Sequence, residues 1–152
     1  MDLYRKAGQF MADHGNPTQW PPGYPPRDMI EEDIKGGWLF VCMAGEEVTG
    51  VFYYRLGEEP DYEKIREGRW LNEEPYGVVH RITTGGSHKG AGSFCLNWAF
   101  DRCGNLKIDT HRDNVVMQNL LKKNGFCCCG LIRGRDGGER LAYQKTQKVV
   151  AI

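Results

Sequence analysis

The sequence lacks an apolar run long enough to cross a membrane, and it lacks an excess of charge of either sign. Among its 152 residues, 20 basic side chains are balanced by 20 acidic ones. Nucleic-acid-binding domains usually carry a basic excess or a basic stripe, so this balance argues against a nucleic-acid partner. A membrane span needs about 20 consecutive apolar residues, so no membrane partner is expected either. A net charge near zero is compatible with self-association, and we expect a homodimer.

The sequence also lacks the cysteine and histidine spacings of a metal site. Zinc sites use paired Cys-x-x-Cys or Cys/His motifs, and none is present, so no metal is expected. Three of the cysteines are consecutive, which makes a poor disulfide framework. The full set is Cys42, Cys95, Cys103, Cys127, Cys128 and Cys129. We expect reduced, mostly buried thiols and no cysteine nucleophile, because none lies in a motif that supplies a base or an anion site.

The start of the chain does not have the pattern of an export signal. The first ten residues carry Asp2, Arg5, Lys6 and Gln9 instead of an uninterrupted apolar core. A cytoplasmic location is therefore expected. The length of the chain predicts one domain, residues 1–152, which is large enough to bury a core without disulfides or metals.

What the sequence does contain is a regular succession of helix and strand patterns. Helices are predicted over 1–14, 27–35, 93–103 and 114–123, with Asp113 as a candidate N-cap and a helical turn over 61–67. Strands are predicted over 38–43, 48–54, 76–84, 106–111, 126–133 and 141–145. The strand–helix–strand stretch over 76–111 predicts a parallel strand pair, flanked by one antiparallel hairpin on each side. We therefore predict an α/β fold with a mixed sheet and helices on both faces.

The stretch from Val78 to Gly92 organises this pattern. A β-branched strand leads into the loop Thr-Gly-Gly-Ser-His-Lys-Gly-Ala-Gly and then into an apolar helix. Glycines let backbone N–H groups turn toward one point, and a helix N-terminus adds positive potential, so the loop could hold the phosphates of a cofactor. Glycine-rich loops are more often plain turns, and the loop alone leaves both interpretations open. A Walker-type hydrolase is excluded, because Lys89 is followed by Gly90 instead of Ser or Thr.

Two motifs and their spacing resemble those of the GCN5-related N-acetyltransferase (GNAT) superfamily. In that family an Arg/Gln-x-x-Gly-x-Gly/Ala loop binds the coenzyme A pyrophosphate, and residues Ser87 to Gly92 fit its two glycines. The family also has an asparagine that opens a later helix, with Gly-Phe eleven and twelve residues on, as Asn114 and Gly125-Phe126 stand here. The resemblance covers Met1 to Lys145 and is nearest to small bacterial members with Gln-Trp and Tyr-Pro early, His-Arg in the central strand and Asp-Thr-His in the next. It implies a mixed, mostly antiparallel sheet whose central parallel strands splay around coenzyme A.

The chain departs from the family pattern at three places. It begins in a helix where the family has a first edge strand, which would leave the edge of the neighbouring strand unpaired. Ser87 stands where Arg or Gln is usual, although His88 and Lys89 could still supply positive charge. Leu121 occupies the position of a tyrosine that protonates the leaving thiolate in many members, so that general acid is absent. A thiolate leaves readily and can take its proton from water.

The resemblance implies that acetyl-CoA is the co-substrate and that its acetyl group passes directly to an amine. The strand backbone at Arg81, Ile82 and Thr83 would pair with the pantetheine arm, and the N–H of Ile82 would stabilise the thioester oxygen. Asn114 would contact the arm from the other side. The remaining cofactor residues would surround the pyrophosphate: Gly90, Ala91 and Gly92 through their backbone, with His88, Lys89 and Ser93 beside it.

A general base is less clearly marked. His80 and His111 are the candidates, because each lies in or at the end of a central strand and histidine exchanges protons near neutral pH. Alternation predicts that His80 and Ile82 share one strand face, and that Asp109 and His111 share one face of the next strand. The alternative is structural, with Arg81 and Asp109 as an ion pair and both histidines held in place by hydrogen bonds.

The acceptor is expected to be the primary amine of a small molecule or peptide. Four aromatic residues could line its cleft, although core packing would explain them equally well: Trp20, Tyr24, Trp70 and Tyr76. Glu31, Glu32 and Asp33 are possible acidic cleft residues, or else part of a solvated helix face. A second function stays open, in which the domain is a non-catalytic acyl-CoA-binding sensor or interaction module of the same fold.

Overall fold

The structure, a computed structural model, describes residues 1–86 and 88–147, so Ser87 of the glycine loop lies outside the described residues. The helices are α1 (Asp2–Asp13), α2 (Arg27–Gly36), α3 (Ala91–Cys103) and α4 (Val115–Lys123), with a 3-10 turn at Pro60–Tyr62. The strands are β1 (Leu39–Ala44), β2 (Glu47–Leu56), β3 (Gly77–Thr84), β4 (Asn105–Thr110), β5 (Cys127–Arg133) and β6 (Glu139–Thr146). These elements follow one another in the predicted order, which confirms the predicted α/β class. Within the described part of the chain, the helices are too short or too polar to cross a bilayer.

The strands form one mixed sheet in the order β1-β2-β3-β4-β6-β5. Neighbouring strands are antiparallel except for β3 and β4, which run parallel as predicted. This parallel pair is held only at its start, where Gly77 lies opposite Leu106 and Val78 opposite Lys107. Both strands continue beyond these residues, β3 to Thr84 and β4 to Thr110. They therefore separate and open a gap in the middle of the sheet.

Alternating strand residues divide the core between the two faces of the sheet. The face under α3 and α4 holds the largest cluster, in which Val79, Leu96 and Leu121 have no exposed surface. On the other face, one cluster gathers around Tyr4 of α1, and another gathers around Tyr62 in the connection between β2 and β3. The helices α1 and α2 and this connection therefore cover the face of the sheet opposite α3 and α4. The gap between β3 and β4 lies in the sheet, between these two layers.

The helix α4 begins one residue later than the sequence pattern predicts. Asn114 is its N-cap, because Oδ1 of Asn114 accepts a hydrogen bond from the backbone N–H of Met117 at 3.1 Å. Asp113 lies outside the helix, so the prediction that Asp113 is the cap is wrong. An N-cap asparagine satisfies one of the free N–H groups of the first turn. The cap holds the Asn114 side chain at the open end of the gap.

The two edges of the sheet differ in how they are covered. In the described part of the chain, no strand pairs with the outer side of β1, which agrees with the predicted absence of the family's first edge strand. At the other edge, Arg66 and Leu131 exchange two backbone hydrogen bonds of 2.8 Å. This bridge ties the connection between β2 and β3 to β5 and shields part of that edge.

The cysteines are free thiols, but the prediction that most are buried is wrong. Cys95 and Cys129 are buried, and burial raises the pKa of the Cys95 thiol to about 12. Cys127 and Cys128 lie exposed on β5. The apolar Cys127–Cys129 run suggested burial, because the sequence does not show that this strand lies at the edge of the sheet instead of its centre.

Candidate active site

The gap between β3 and β4 opens into two cavities that share part of their walls. The first has a volume of about 300 Å³ and is called here the acidic cavity, since Glu59, Asp61 and Asp109 line it. The second has a volume of about 370 Å³ and is called the glycine-loop slot, since Gly85, Gly86 and Gly92 line it. The residues common to both are Met11, Ile82, Asn114 and Met117. A molecule that extends from the slot into the acidic cavity would pass beside these shared residues.

The glycine-loop slot combines apolar walls with exposed backbone. Phe10 of α1 and Leu120 of α4 are among its apolar side chains. Gly90, the N-cap of α3, has φ +82°, a left-handed conformation that favours glycine and turns the chain directly into the helix. The first N–H groups of α3 have no acceptor within the helix. A phosphate beside this helix start would meet those donors and the positive end of the helix dipole.

The predicted cofactor residues are distributed over the slot, the acidic cavity and the loop. Ile82, Thr83, Gly92 and Asn114 line the slot, whereas Arg81 lines the acidic cavity. The others lie at or near the start of α3: His88 and Lys89 are exposed, Gly90 and Ala91 open the helix, and Oγ of Ser93 accepts a hydrogen bond from Asn124. Their binding roles stay predictions.

A bulge in β3 reshapes the strand where the two cavities meet. The pairing of β2 with β3 shifts between Val51 and Tyr53, so Arg81 and Ile82 together lie opposite one residue of β2. Arg81 has φ +51°, which residues other than glycine seldom adopt. His80, Arg81 and Ile82 all line the acidic cavity, but only the Ile82 side chain also packs in the core under α3 and α4. The prediction that His80 and Ile82 share a face is wrong, because the bulge inserts one residue into a two-residue period.

His80 lines the acidic cavity next to a carboxylate. Nε2 of His80 lies 3.6 Å from Oε2 of Glu59, and the imidazole packs beside the rings of Tyr53 and Tyr62. The contact with His80 lowers the pKa of Glu59, so this carboxylate is ionised near neutral pH. A carboxylate beside one nitrogen orients an imidazole. The arrangement is suited to accepting a proton inside the cavity.

Two further carboxylates give the acidic cavity its negative charge. Oδ2 of Asp109 accepts a hydrogen bond of 2.6 Å from the buried hydroxyl of Tyr62. Burial, with Glu59 nearby, raises the pKa of Asp61. In the described residues, these groups do not form the cluster of three or more acidic, cysteine or histidine side chains that a metal ion needs. Three arginines also line this cavity: Arg81 pairs with Asp33 and Arg140 with Asp136, whereas Arg135 lies near Glu59 and Asp61 and offsets part of their charge.

The ion pair of Arg81 is made with α2 and not with Asp109. Nη2 of Arg81 lies 2.5 Å from Oδ2 of Asp33, and both side chains are 9% exposed. Asp33 is the buried acid of α2, whereas Glu31 and Glu32 are exposed. The expected alternative of an Arg81–Asp109 pair is therefore wrong, because Arg81 pairs with Asp33 instead.

Among the described residues, His111 lines neither cavity. Nδ1 of His111 accepts a hydrogen bond of 3.0 Å from the backbone N–H of Asp113. Nε2 therefore carries the proton and donates to Oγ1 of Thr18 at 3.1 Å. This histidine matches the structural alternative, in which hydrogen bonds hold the ring in place. Gln19 lies beside it and joins it to the site, since Oε1 of Gln19 accepts from Nδ2 of Asn114 at 3.2 Å.

The aromatic candidates divide into two pairs. Trp20 and Tyr24 line the acidic cavity, with ring centroids 5.7 Å apart. Trp70 and Tyr76 instead pack around the buried Lys107, whose Nζ lies 4.1 and 3.9 Å from their ring centroids. Core packing therefore explains Trp70 and Tyr76, and the first pair keeps both interpretations.

A solved structure that resembles this chain decides the family. It is an acetyltransferase of the GNAT family from Streptococcus agalactiae 2603, with 31% sequence identity and a TM-score of 0.89. The match covers 98% of this chain and 88% of that one. The chain belongs to the GNAT family of acetyltransferases. The family predicted from the glycine loop, Asn114 and Gly125-Phe126 is thereby confirmed.

More distant acetyltransferase structures show the same fold. An acetyltransferase from Bacillus subtilis, solved in complex with CoA, is 15% identical with a TM-score of 0.58, over 82% of this chain and 86% of that one. A GNAT acetyltransferase from Bacillus cereus ATCC 10987 is 16% identical with a TM-score of 0.57, over 91% of this chain and 87% of that one. No protein-family model matches the sequence, and a comparison with curated proteins gives no match.

The residues that sequence reasoning missed come mainly from the connection between β2 and β3. Glu59, Asp61 and Tyr62 lie there, around the 3-10 turn, and bring two carboxylates and a phenol to the cavity. A helical turn was predicted over 61–67, and the structure has a 3-10 turn at Pro60–Tyr62, but such a short turn does not fix the direction of the connection. The only signal was the composition of Glu58-Glu59-Pro60-Asp61-Tyr62, where acidic residues surround a proline and precede an aromatic.

Proposed function

We propose that this GNAT protein transfers an acetyl group from acetyl-CoA directly to the primary amine of a small molecule or peptide. The observation that carries the proposal is the meeting of the glycine-loop slot with the acidic cavity beside Ile82 and Asn114. One compartment suits an extended anionic donor, and the other suits a cationic acceptor. A direct transfer needs both molecules bound at once with their reacting atoms in contact, and the joined cavities allow this.

The slot suits acetyl-CoA in chemistry. Its apolar side chains suit the pantetheine arm, and its glycines let backbone come close to the pyrophosphate at the start of α3. The backbone of β3 from Arg81 to Thr83 leaves the ladder with β4 and can pair with the arm instead. Membership in the GNAT family supports the same donor, as does the CoA complex of the Bacillus subtilis acetyltransferase.

The acidic cavity fits a protonated amine that must lose its proton before it attacks. Glu59, Asp61 and Asp109 attract the ammonium group, and His80 lies among them as the base. His80 accepts one proton of the ammonium group, and the neutral amine nitrogen bonds to the acetyl carbon. The carbon–sulfur bond breaks, and the nitrogen releases its second proton to water. The N–H of Ile82 stabilises the thioester oxygen while it gains charge. Water protonates the thiolate, since Leu121 at the expected acid position is apolar and fully buried.

The first test is binding. A ligand present at 100 times its Kd stabilises the folded state by about 2.7 kcal/mol, provided that it does not bind the unfolded chain. For a domain of this size that corresponds to a rise in Tm of roughly 5–10 °C. We expect acetyl-CoA to produce such a shift. An unchanged Tm at saturating acetyl-CoA would contradict the donor assignment.

A matched pair of glycine variants tests where the phosphates bind. Gly90 and Gly37 have similar left-handed conformations, with φ +82° and +75°, and an added Cβ meets no heavy atom within 4 Å at either position. Gly90→Glu and Gly37→Glu therefore carry similar backbone strain. Only Gly90→Glu places a carboxylate at the start of α3. We expect Gly90→Glu to abolish the rise in Tm caused by acetyl-CoA and Gly37→Glu to retain it. Equal rises in the two variants would mean that the pyrophosphate binds elsewhere.

A second candidate function is an acyl-CoA-binding sensor or interaction module without catalysis. The buried Leu121 favours it, because the usual acid for the thiolate is missing. Thiol release from acetyl-CoA, measured across a panel of primary amines, separates the two functions. We expect release that depends on the amine. A full thermal shift without amine-dependent release would assign the sensor function instead.

A further inference from the structure

The backbone of Arg81 has an unfavourable conformation that the residues next to it in the sequence do not require. Arg81 has φ +51° in the middle of β3, a conformation that a side chain with a Cβ adopts at a cost in free energy. Such residues persist where their surroundings hold them. The bulge that contains Arg81 interrupts the ladder with β2 at Ile82, and His80 and Arg81 line the same cavity.

The side chain of Arg81 is held by an ion pair with α2. Its guanidinium lies 2.5 Å from the carboxylate of Asp33, and both side chains are 9% exposed. The guanidinium also lies 5.1 Å from the centre of the Tyr53 ring. Tyr24 interacts with Arg81 as well, and the neighbouring Tyr4 is buried. A buried, charge-assisted pair of this geometry fixes the side chain, and the side chain in turn limits the backbone conformations of residue 81.

We propose that Asp33 is a positioning residue for acetyl transfer, because it holds Arg81 in the left-handed conformation that aims the N–H of Ile82 at the thioester oxygen. The inference rests on the proposed function and adds a residue that touches neither substrate. It predicts that the requirement for Asp33 depends on the Cβ of residue 81. Glycine adopts φ +51° without the ion pair, so glycine at position 81 should make Asp33 dispensable.

The test compares Asp33→Asn/Arg81→Ala with Asp33→Asn/Arg81→Gly. Neither double variant contains a buried unpaired charge, and both lack the ion pair and the guanidinium. They differ only in whether residue 81 tolerates a left-handed backbone. The probe is acetyl-CoA labelled with ¹³C at the thioester carbonyl, whose stretching frequency falls when a donor binds the oxygen. Infrared difference spectra report this without any acceptor, and thiol release with the best amine of the panel reports the rate.

We expect wild type and Asp33→Asn/Arg81→Gly to lower the carbonyl frequency alike. We expect Asp33→Asn/Arg81→Ala and Asp33→Asn to lose most of that change and to release thiol about 100-fold more slowly, the effect of a displaced reacting group. Glu31→Gln is the control, since Glu31 makes an ion pair of 3.0 Å with Arg27 on the exposed side of the same helix. Its spectrum and rate should equal those of wild type.

The outcomes separate this inference from the proposed function. Failure of the wild type to bind acetyl-CoA contradicts the proposed function itself. Binding without a change in carbonyl frequency in wild type overturns the donor role of Ile82 and, with it, the role of Asp33. Equal spectra and rates for the alanine and glycine double variants would mean that the Asp33–Arg81 pair only stabilises the fold. A wild-type spectrum and rate in Asp33→Asn would overturn the inference directly.

Discussion

The hydrogen bond between Tyr62 and Asp109 gives a stability prediction that can be worked out from the structure. The Tyr62 hydroxyl is 2.6 Å from Oδ2 of Asp109, and the tyrosine is 2% exposed. Burial, with Asp109 adjacent, raises the pKa of Tyr62 well above its usual range, so the hydroxyl remains a donor at any ordinary pH. Tyr62→Phe keeps the ring in its cluster with Val78 and Ile132 and removes only the donor.

The expected cost follows from the kind of acceptor. A hydrogen bond to a charged group contributes about 1.5–3 kcal/mol to stability, and its loss leaves the carboxylate without this donor. We therefore expect Tyr62→Phe to lower the free energy of unfolding by about 2 kcal/mol. For a domain of this size that is a fall in Tm of about 4–8 °C. Urea denaturation followed by circular dichroism measures the change, provided that unfolding is two-state.

Tyr76→Phe is the matched control for this measurement. The Tyr76 oxygen accepts a hydrogen bond of 2.9 Å from the backbone N–H of Glu59, so its partner is neutral and the side chain is only partly buried. Its loss should cost about 0.5–1.5 kcal/mol. A double-mutant cycle of Tyr62→Phe with Asp109→Asn should give a coupling energy above about 1 kcal/mol. A coupling near zero, or equal costs for the two tyrosine variants, would refute the reasoning.

Three further predictions follow from the site and the surface. The pKa of Glu59 is lowered in the folded protein, so its contribution to stability is present above the unfolded pKa and is lost as pH falls through the folded pKa. Urea titrations between about pH 5 and pH 3 should therefore show wild type losing more stability than Glu59→Gln, and parallel losses would contradict this. His80→Gln should slow thiol release by about 10²- to 10⁴-fold while leaving the acetyl-CoA thermal shift unchanged, and an unchanged rate would place the base elsewhere. In the native protein a thiol reagent should label the exposed Cys127 and Cys128 first and the buried Cys95 only on unfolding, whereas early labelling of Cys95 would show that its surroundings open.

Those parts of the fold that depend on local pattern could be predicted from the sequence. The β-branched stretch before the glycine loop and the apolar stretch after it gave β3 and α3, and strand–helix–strand order gave the parallel pair. These predictions succeeded because short-range periodicity acts within a few residues of the chain. The resemblance to the GNAT family, and not local pattern, implied that Asn114 and Gly92 belong to one cofactor site; both line the glycine-loop slot, and their binding roles stay predictions.

The partners of buried charges could not be predicted in the same way. Arg81 and Asp109 were predicted to lie on two neighbouring strands, where an ion pair between them was one alternative, but Arg81 binds Asp33 and Asp109 binds Tyr62. Both observed partners lie outside the sheet, in α2 and in the connection between β2 and β3. The position of such segments is set by tertiary packing, which leaves no period in the sequence. The same limit explains why Glu59 and Asp61 were missed.

The bulge in β3 connects the two halves of the proposed chemistry. In a regular strand, His80 and Ile82 would share a face, and Arg81 would point to the other. Pairing with β2 is regular through His80, whose side chain lines the acidic cavity; the extra residue follows it, and the backbone at Ile82 drops out of the ladder with β2. The proposed base for the amine and the proposed donor for the thioester oxygen thus come from residues two apart, but only the donor depends on the left-handed backbone of Arg81. Substitutions that restore regular pairing at residue 81 should therefore weaken oxyanion stabilisation, whereas His80→Gln should weaken proton transfer.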